Sequence, residues 1–101
     1  MHIKEEIGTC ALLEQTAEEC AELAQAALKL ARKMRGDNPT PATIYELHNK
    51  VTEEIADVRV CMDELLKGNV VSYTEVTAIA ETKLSRWQKR IEENKSNKNL
   101  R

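Results

Sequence analysis

Leu12-Leu13-Glu14-Gln15-Thr16-Ala17-Glu18-Glu19-Cys20-Ala21-Glu22-Leu23-Ala24-Gln25-Ala26-Ala27-Leu28-Lys29-Leu30-Ala31-Arg32-Lys33-Met34-Arg35 contains no proline or glycine, and its apolar residues recur at helical spacing. Leu13, Ala17, Cys20, Ala24, Ala27, Ala31 and Met34 step by four and three, the period of one helix face. Leu12, Thr16, Glu19, Leu23, Ala26 and Leu30 form a second stripe beside it. The small residues of the first stripe would let a neighbouring helix approach closely.

The punctuation on either side extends this reading. Gly36 follows Arg32, Lys33 and Arg35, a combination that suits the C-terminal end of a helix. Thr40-Pro41 reads as an N-cap and first helical residue. From there Ile44, Leu47, Val51, Glu54, Val58, Cys61 and Leu65 form the strict seam of a second helix. Gly68 ends it after a lysine, and Ser72-x-x-Glu75 has the form of a capping box. Val76, Ala80, Leu84, Trp87 and Ile91 mark a third helix. Gly8-Thr9 opens the first, with Ile3–Ile7 a short preceding turn, and the polar stretch 94–101 is expected to fray. The expectation is an all-α bundle of three main helices at about 9–35, 41–67 and 72–95, connected by short breaks.

The chain of 101 residues suggests one domain, 1–101, with a core over 8–91. It has no Phe, one Trp and two Tyr, and Ala supplies much of its 42% hydrophobic share. So few large side chains leave a lone bundle weakly stabilised. A homodimer or homotetramer that completes the core is therefore expected. A net charge of -2 gives no support for binding a nucleic-acid polymer. No apolar run approaches membrane-spanning length, and the charged start Met1-His2-Ile3-Lys4-Glu5-Glu6 lacks a signal-peptide stretch. Cys10, Cys20 and Cys61 have no Cys-x-x-Cys spacing and read as reduced thiols in a cytoplasmic protein.

Two acids stand where the seams call for apolar residues. Glu19 and Glu54 are costly there unless a cation or hydrogen bonds offset their burial. Each has company, because Glu18 and Glu19 lie four and three residues before Glu22, as Glu53 and Glu54 do before Asp57. Such spacing brings Cβ atoms roughly 5–6 Å apart on one face. No Lys or Arg falls within either five-residue cluster. One such cluster is what a solvated acidic helix face looks like; two, each with an acid on an apolar seam, point to a hard divalent cation. Mg²⁺ takes carboxylate oxygens and leaves positions for water or phosphate, and Mn²⁺ can substitute. If the two helices face each other, Glu22, Glu54 and Asp57 could share one ion. Glu19 could then hold a second ion or orient a water.

Cations suited to phosphate are also present. Lys83, Arg86 and Arg90 step along one face of the third helix beside Trp87, and Lys29 and Arg32 follow the first acidic cluster. An ordinary solvated basic face would look the same. There is no glycine-rich phosphate loop, since Gly8, Gly36 and Gly68 are isolated. His2 and His48 have no ligand partner at useful spacing. No Ser or Cys has an adjacent base, which disfavours covalent catalysis.

The pair of patterns Glu18-Glu19-x-x-Glu22 and Glu53-Glu54-x-x-Asp57 on two helices of a short α-only chain resembles the MazG-type nucleoside triphosphate pyrophosphohydrolases. That superfamily also holds the dimeric dUTPases and phosphoribosyl-ATP pyrophosphohydrolase. The resemblance covers roughly residues 8–91 and includes Gln15, Glu22-Leu23, Lys29 and Lys83-x-x-Arg86-Trp87-x-x-Arg90. One departure is the 31 residues between Glu22 and Glu54, toward the long end for the family, which implies a longer linker around Pro39–Pro41.

The resemblance implies a dimerising bundle that uses Mg²⁺ to split a nucleoside triphosphate into monophosphate and pyrophosphate. It places Glu22, Glu54 and Asp57 on the principal ion and gives Glu19 the catalytic water or a further ion. Glu18 and Glu53 would support the ligands. Lys83, Arg86, Arg90 and Lys29 would meet phosphate. Trp87 either packs in a core or stacks on a base. The alternatives are a non-catalytic helical interaction module and an enzyme acting on phosphoribosyl-ATP.

Overall fold

The computed structural model describes residues 1–37 and 40–99. All regular structure among them is helical: α1 (Ile3–Ile7), α2 (Thr9–Arg35), α3 (Ile44–Lys67) and α4 (Tyr73–Asn99). The all-α expectation is met, and Ile3–Ile7 forms a short helix of its own. Asn38 and Pro39 of the expected linker, and Leu100 and Arg101 of the expected tail, lie outside the described residues. Met1–Val70 forms one compact unit and Val71–Arg101 a second.

In the first unit α2 and α3 pack on each other, and the stripe that does the packing is the one carrying Glu19. Leu12 and Ala26 are buried, and Thr16, Glu19, Leu23 and Leu30 half-buried. The unbroken stripe is instead open within this unit, with Leu13 47% and Met34 68% exposed. Counting apolar residues favours that unbroken stripe, but Leu12 and Leu23 reach the core that alanines cannot fill. On α3 the seam holds from Leu47 onward, with Leu47, Glu54, Val58 and Cys61 buried and Val51 and Leu65 half-buried, while Ile44 at the helix start is exposed. The two helices run antiparallel, since Lys29 shares a cleft with Leu47 and Lys50 while Thr16 and Glu19 face Cys61.

Helix ends follow local chemistry with two corrections. Gly36 takes a left-handed φ of 78°, and the chain closes on it with Gly36 N–H to Lys33 O and Asp37 N–H to Arg32 O. The first correction is the start of α3, expected at Thr40-Pro41. The cap is Thr43, whose hydroxyl accepts from Glu46 N–H at 3.0 Å. Thr43-x-x-Glu46 is itself a capping-box pattern, and Thr40 lies in the turn before it. Ser72 accepts from Glu75 N–H at 3.2 Å, as its pattern foretold.

Gly68 ends α3 as expected, and the left-handed residue is its neighbour Asn69, at φ 58°. Gly68 is there for space. A Cβ on it would stand 3.1 Å from both Glu64 O and Lys4 Cδ, and Lys4 Nζ donates to Gly68 O at 2.6 Å. With Ile3 N–H bonded to Glu64 Oε2 at 3.3 Å, these contacts fasten α1 to the end of α3.

The second concerns the C-terminal helix. Expected to end at about 95, it runs through Asn99, and no glycine or proline interrupts it. Lys95 also pairs with Glu92 at 3.8 Å, and Lys98 sits favourably in the last turn. Within this second unit Leu84, Trp87 and Ile91 are exposed. Among the described residues no helix is long and apolar enough to cross a membrane.

Candidate metal centre

Antiparallel packing brings the two acidic clusters level. One carboxylate oxygen from each of Glu19, Glu22, Glu54 and Asp57 lies within 4.8 Å of all the others. Glu18 and Glu53 are exposed and outside this group. The unequal placement follows from the helix period. Glu19 and Glu54 fall on the packing stripes, and one turn on, Glu22 and Asp57 reach the same place from its rim.

Glu54 is the most buried of the four, 2% exposed, with Lys50 Nζ 2.9 Å from its Oε1. Glu19 is half-buried and its Oε1 accepts from Gln15 Nε2 at 2.8 Å. With Glu22 ionised, the other oxygen of each, Oε2, is buried without a hydrogen-bond partner, and a proton held on Glu22 would be shared with these carboxylates. An unpartnered buried carboxylate oxygen is expensive, and two facing each other from different helices more so. Four hard oxygen donors with two such orphans fit a hard divalent cation of the Mg²⁺ or Mn²⁺ kind; thiolate and imidazole, which a zinc site would favour, are not in the group.

The electrostatics carry the same strain. The charge on Glu19 first, then that on Glu54 and the loss of solvent, push the Glu22 carboxyl above its ordinary range. The hydrogen bond to Glu54 holds the Lys50 ammonium above the ordinary lysine range. Burial raises the Cys61 thiol, one turn beyond Asp57, so this cysteine is a packing group rather than a nucleophile.

Beside the acids lies a cleft of about 340 Å³ lined by Glu22, Gln25, Lys29, Leu47, Lys50 and Glu54 among others. Lys29 is thus beside the carboxylates. Lys83, Arg86 and Arg90 are exposed on α4 in the second unit, where Lys83 and Arg86 border a shallow groove with Ile79 and Thr82. Lys50 is the residue that reading the clusters alone misses. It lies outside the five-residue pattern but four residues before Glu54, the spacing of a helical ion pair, and that spacing could have found it.

No protein-family model, curated protein or solved structure matches the chain. Fold and geometry define an all-α protein with a cluster of four carboxylates that could hold a cation.

Proposed function

We propose that this chain is a Mg²⁺-dependent nucleoside triphosphate pyrophosphohydrolase, cleaving the α–β phosphoanhydride to nucleoside monophosphate and pyrophosphate. The observation that carries the reading is the convergence of Glu19, Glu22, Glu54 and Asp57 within 4.8 Å, with two buried oxygens lacking partners. Glu22, Glu54 and Asp57 are the residues that would hold Mg²⁺ or, in its place, Mn²⁺. When bound, the ion supplies positive charge against the phosphate oxygens.

The chain's own groups divide the rest. Glu19 Oε2 is a buried acceptor able to orient a water and take its proton as the water oxygen attacks the α-phosphorus. The bond to the bridging oxygen then breaks and pyrophosphate departs. Lys29, in the same cleft, offers a point charge to the departing phosphates. Glu18 and Glu53 act on the ligands from outside. Lys83, Arg86 and Arg90 are a second set of cations whose part in polyphosphate binding is tested by removing their charges.

The open face of α2, with Leu13 and Met34 exposed, supports a homodimer or homotetramer. The free thiols Cys10, Cys20 and Cys61 accord with a cytoplasmic setting.

The test is incubation with a panel of nucleoside and deoxynucleoside triphosphates plus phosphoribosyl-ATP, with Mg²⁺, while pyrophosphate is measured. Release from at least one substrate is expected, and Glu54→Gln should lower it by about 100-fold or more. Release that survives Glu54→Gln would sink the site assignment. No release from any substrate, with Mg²⁺ bound, would leave a metal-binding helical module.

A further inference from the structure

The two inner acids, Glu19 and Glu54, are held in the same way. Gln15 and Glu19 are four residues apart on α2, and Lys50 and Glu54 are four apart on α3. In each pair the earlier side chain occupies Oε1 of the later one, at 2.8 and 2.9 Å respectively. In each, Oε2 remains buried and unpartnered. The contact takes one lone-pair site of Oε1 and orients each carboxylate, so Oε2 is the oxygen each presents without competition, and chelation through both oxygens would have to compete with the tether. The tethers differ in charge, one being a neutral amide and the other an ammonium.

The charge count runs the same way. Four ionised carboxylates sum to four negative charges, and Lys50 reduces them to three. One divalent ion would leave a single negative charge. A second would turn the cluster positive, and any use it made of Oε1 of Glu54 or of Glu19 would compete with Lys50 or Gln15. Acid clusters of this size are large enough for two ions; here half of the inner oxygens are already committed.

We propose that Lys50 and Gln15 are positioning residues that restrict the carboxylate cluster to a single divalent ion, with Lys50 acting as a resident counter-cation. The proposal rests on the metal reading above. Lys50→Gln separates charge from tethering, because Gln15 shows that a glutamine four residues before a glutamate can reach its Oε1. Lys50→Ala removes both.

The experiment is Mn²⁺ titration of the full chain by calorimetry, with electron paramagnetic resonance to detect magnetically coupled pairs. The wild type should bind one Mn²⁺ per chain and show an uncoupled spectrum. Lys50→Gln should still bind one, about tenfold more tightly, since a neighbouring positive charge, discounted for its exposure, is gone. Lys50→Ala should admit a second ion and give a coupled spectrum.

Two coupled ions in the wild type would overturn this inference while leaving the metal site standing. Unchanged affinity in Lys50→Gln together with one ion in Lys50→Ala would overturn it as well. A wild type that binds no Mn²⁺ would instead overturn the metal reading on which it rests. Circular dichroism of each variant shows that it retains its helices, and Gln15→Ala provides a second removal of a tether should Lys50→Ala fail to fold.

Discussion

Lys50 Nζ stands 2.9 Å from Oε1 of Glu54, and this is the ion pair among the described residues in which the acid is almost fully buried while the base stays half in water. The other pairs join two exposed groups, and exposed pairs contribute little. The Glu54 carboxylate is satisfied on one side only. That arrangement contributes little as a stabilising device, and it is the one on which the proposed cation site rests.

Glu54→Leu should therefore stabilise the metal-free protein. It removes a buried oxygen without a partner and repulsion from Glu22, and it fills the same seam as Leu47 and Val58. A gain of about 1–3 kcal/mol is expected, which in a domain of this size raises the midpoint of thermal unfolding by several degrees. The same variant should lose all Mg²⁺-dependent pyrophosphate release. A lower midpoint in the presence of a chelator would show that the glutamate is structural.

Divalent metal should stabilise the wild type by mass action. At a Mn²⁺ or Mg²⁺ concentration about 100 times the dissociation constant the gain is about 2.7 kcal/mol, read as a shift in the melting curve. Ca²⁺, Mg²⁺ and Mn²⁺ melts run side by side would rank the ions. Glu54→Gln and Asp57→Asn should each abolish most of the shift, and Glu53→Gln, whose side chain is exposed, should keep it.

The strain on Glu22 gives a pH dependence of defined sign. Its folded value is raised above the ordinary 4.5, so the protonated form is favoured by folding. The stability it lends is full below about pH 4.5 and is lost as pH rises through the raised folded value. Glu22→Gln keeps a neutral group there at all pH. In chelator, the advantage of Glu22→Gln over wild type in denaturant unfolding should thus be larger at pH 7 than at pH 4. An equal advantage at both would show that the neighbouring charges on Glu19 and Glu54 do not act on this group.

Gly68→Ala and Gly36→Ala should both destabilise, for different reasons. At Gly68 the backbone is in an ordinary conformation and the new methyl meets Glu64 O and the Lys4 stem, a local overpacking worth about 1–3 kcal/mol. At Gly36 space is open but φ is +78°, a strain of about 1 kcal/mol. Lys4→Ala should rescue part of the Gly68 defect and none of the Gly36 defect, as measured by unfolding in urea.

The open stripe of α2 predicts self-association. Leu13→Glu with Met34→Glu should shift the chain toward monomer in sedimentation equilibrium while leaving the helical content of α2 and α3 in place. A wild type that is monomeric at all concentrations would show that this face has no partner among copies of the chain.

By itself the sequence determined that the chain is helical, where most helices begin and end, and which acids are out of place. Periodicity, glycine position and capping patterns are local, and helices obey local rules. It also showed Glu54 as the intruder on α3, because that seam is unambiguous. It left open which stripe of α2 packs. Two stripes compete, and the choice depends on which side chains reach the facing helix, a matter of volume across the interface that no spacing reveals. Only the tertiary structure set Glu19 and Glu22 level with Glu54 and Asp57. Only it showed that Lys50 takes one oxygen of Glu54 and leaves the other without a partner. Those facts arise from antiparallel packing and burial, which convert acids distant in sequence into one site and make their unsatisfied oxygens costly.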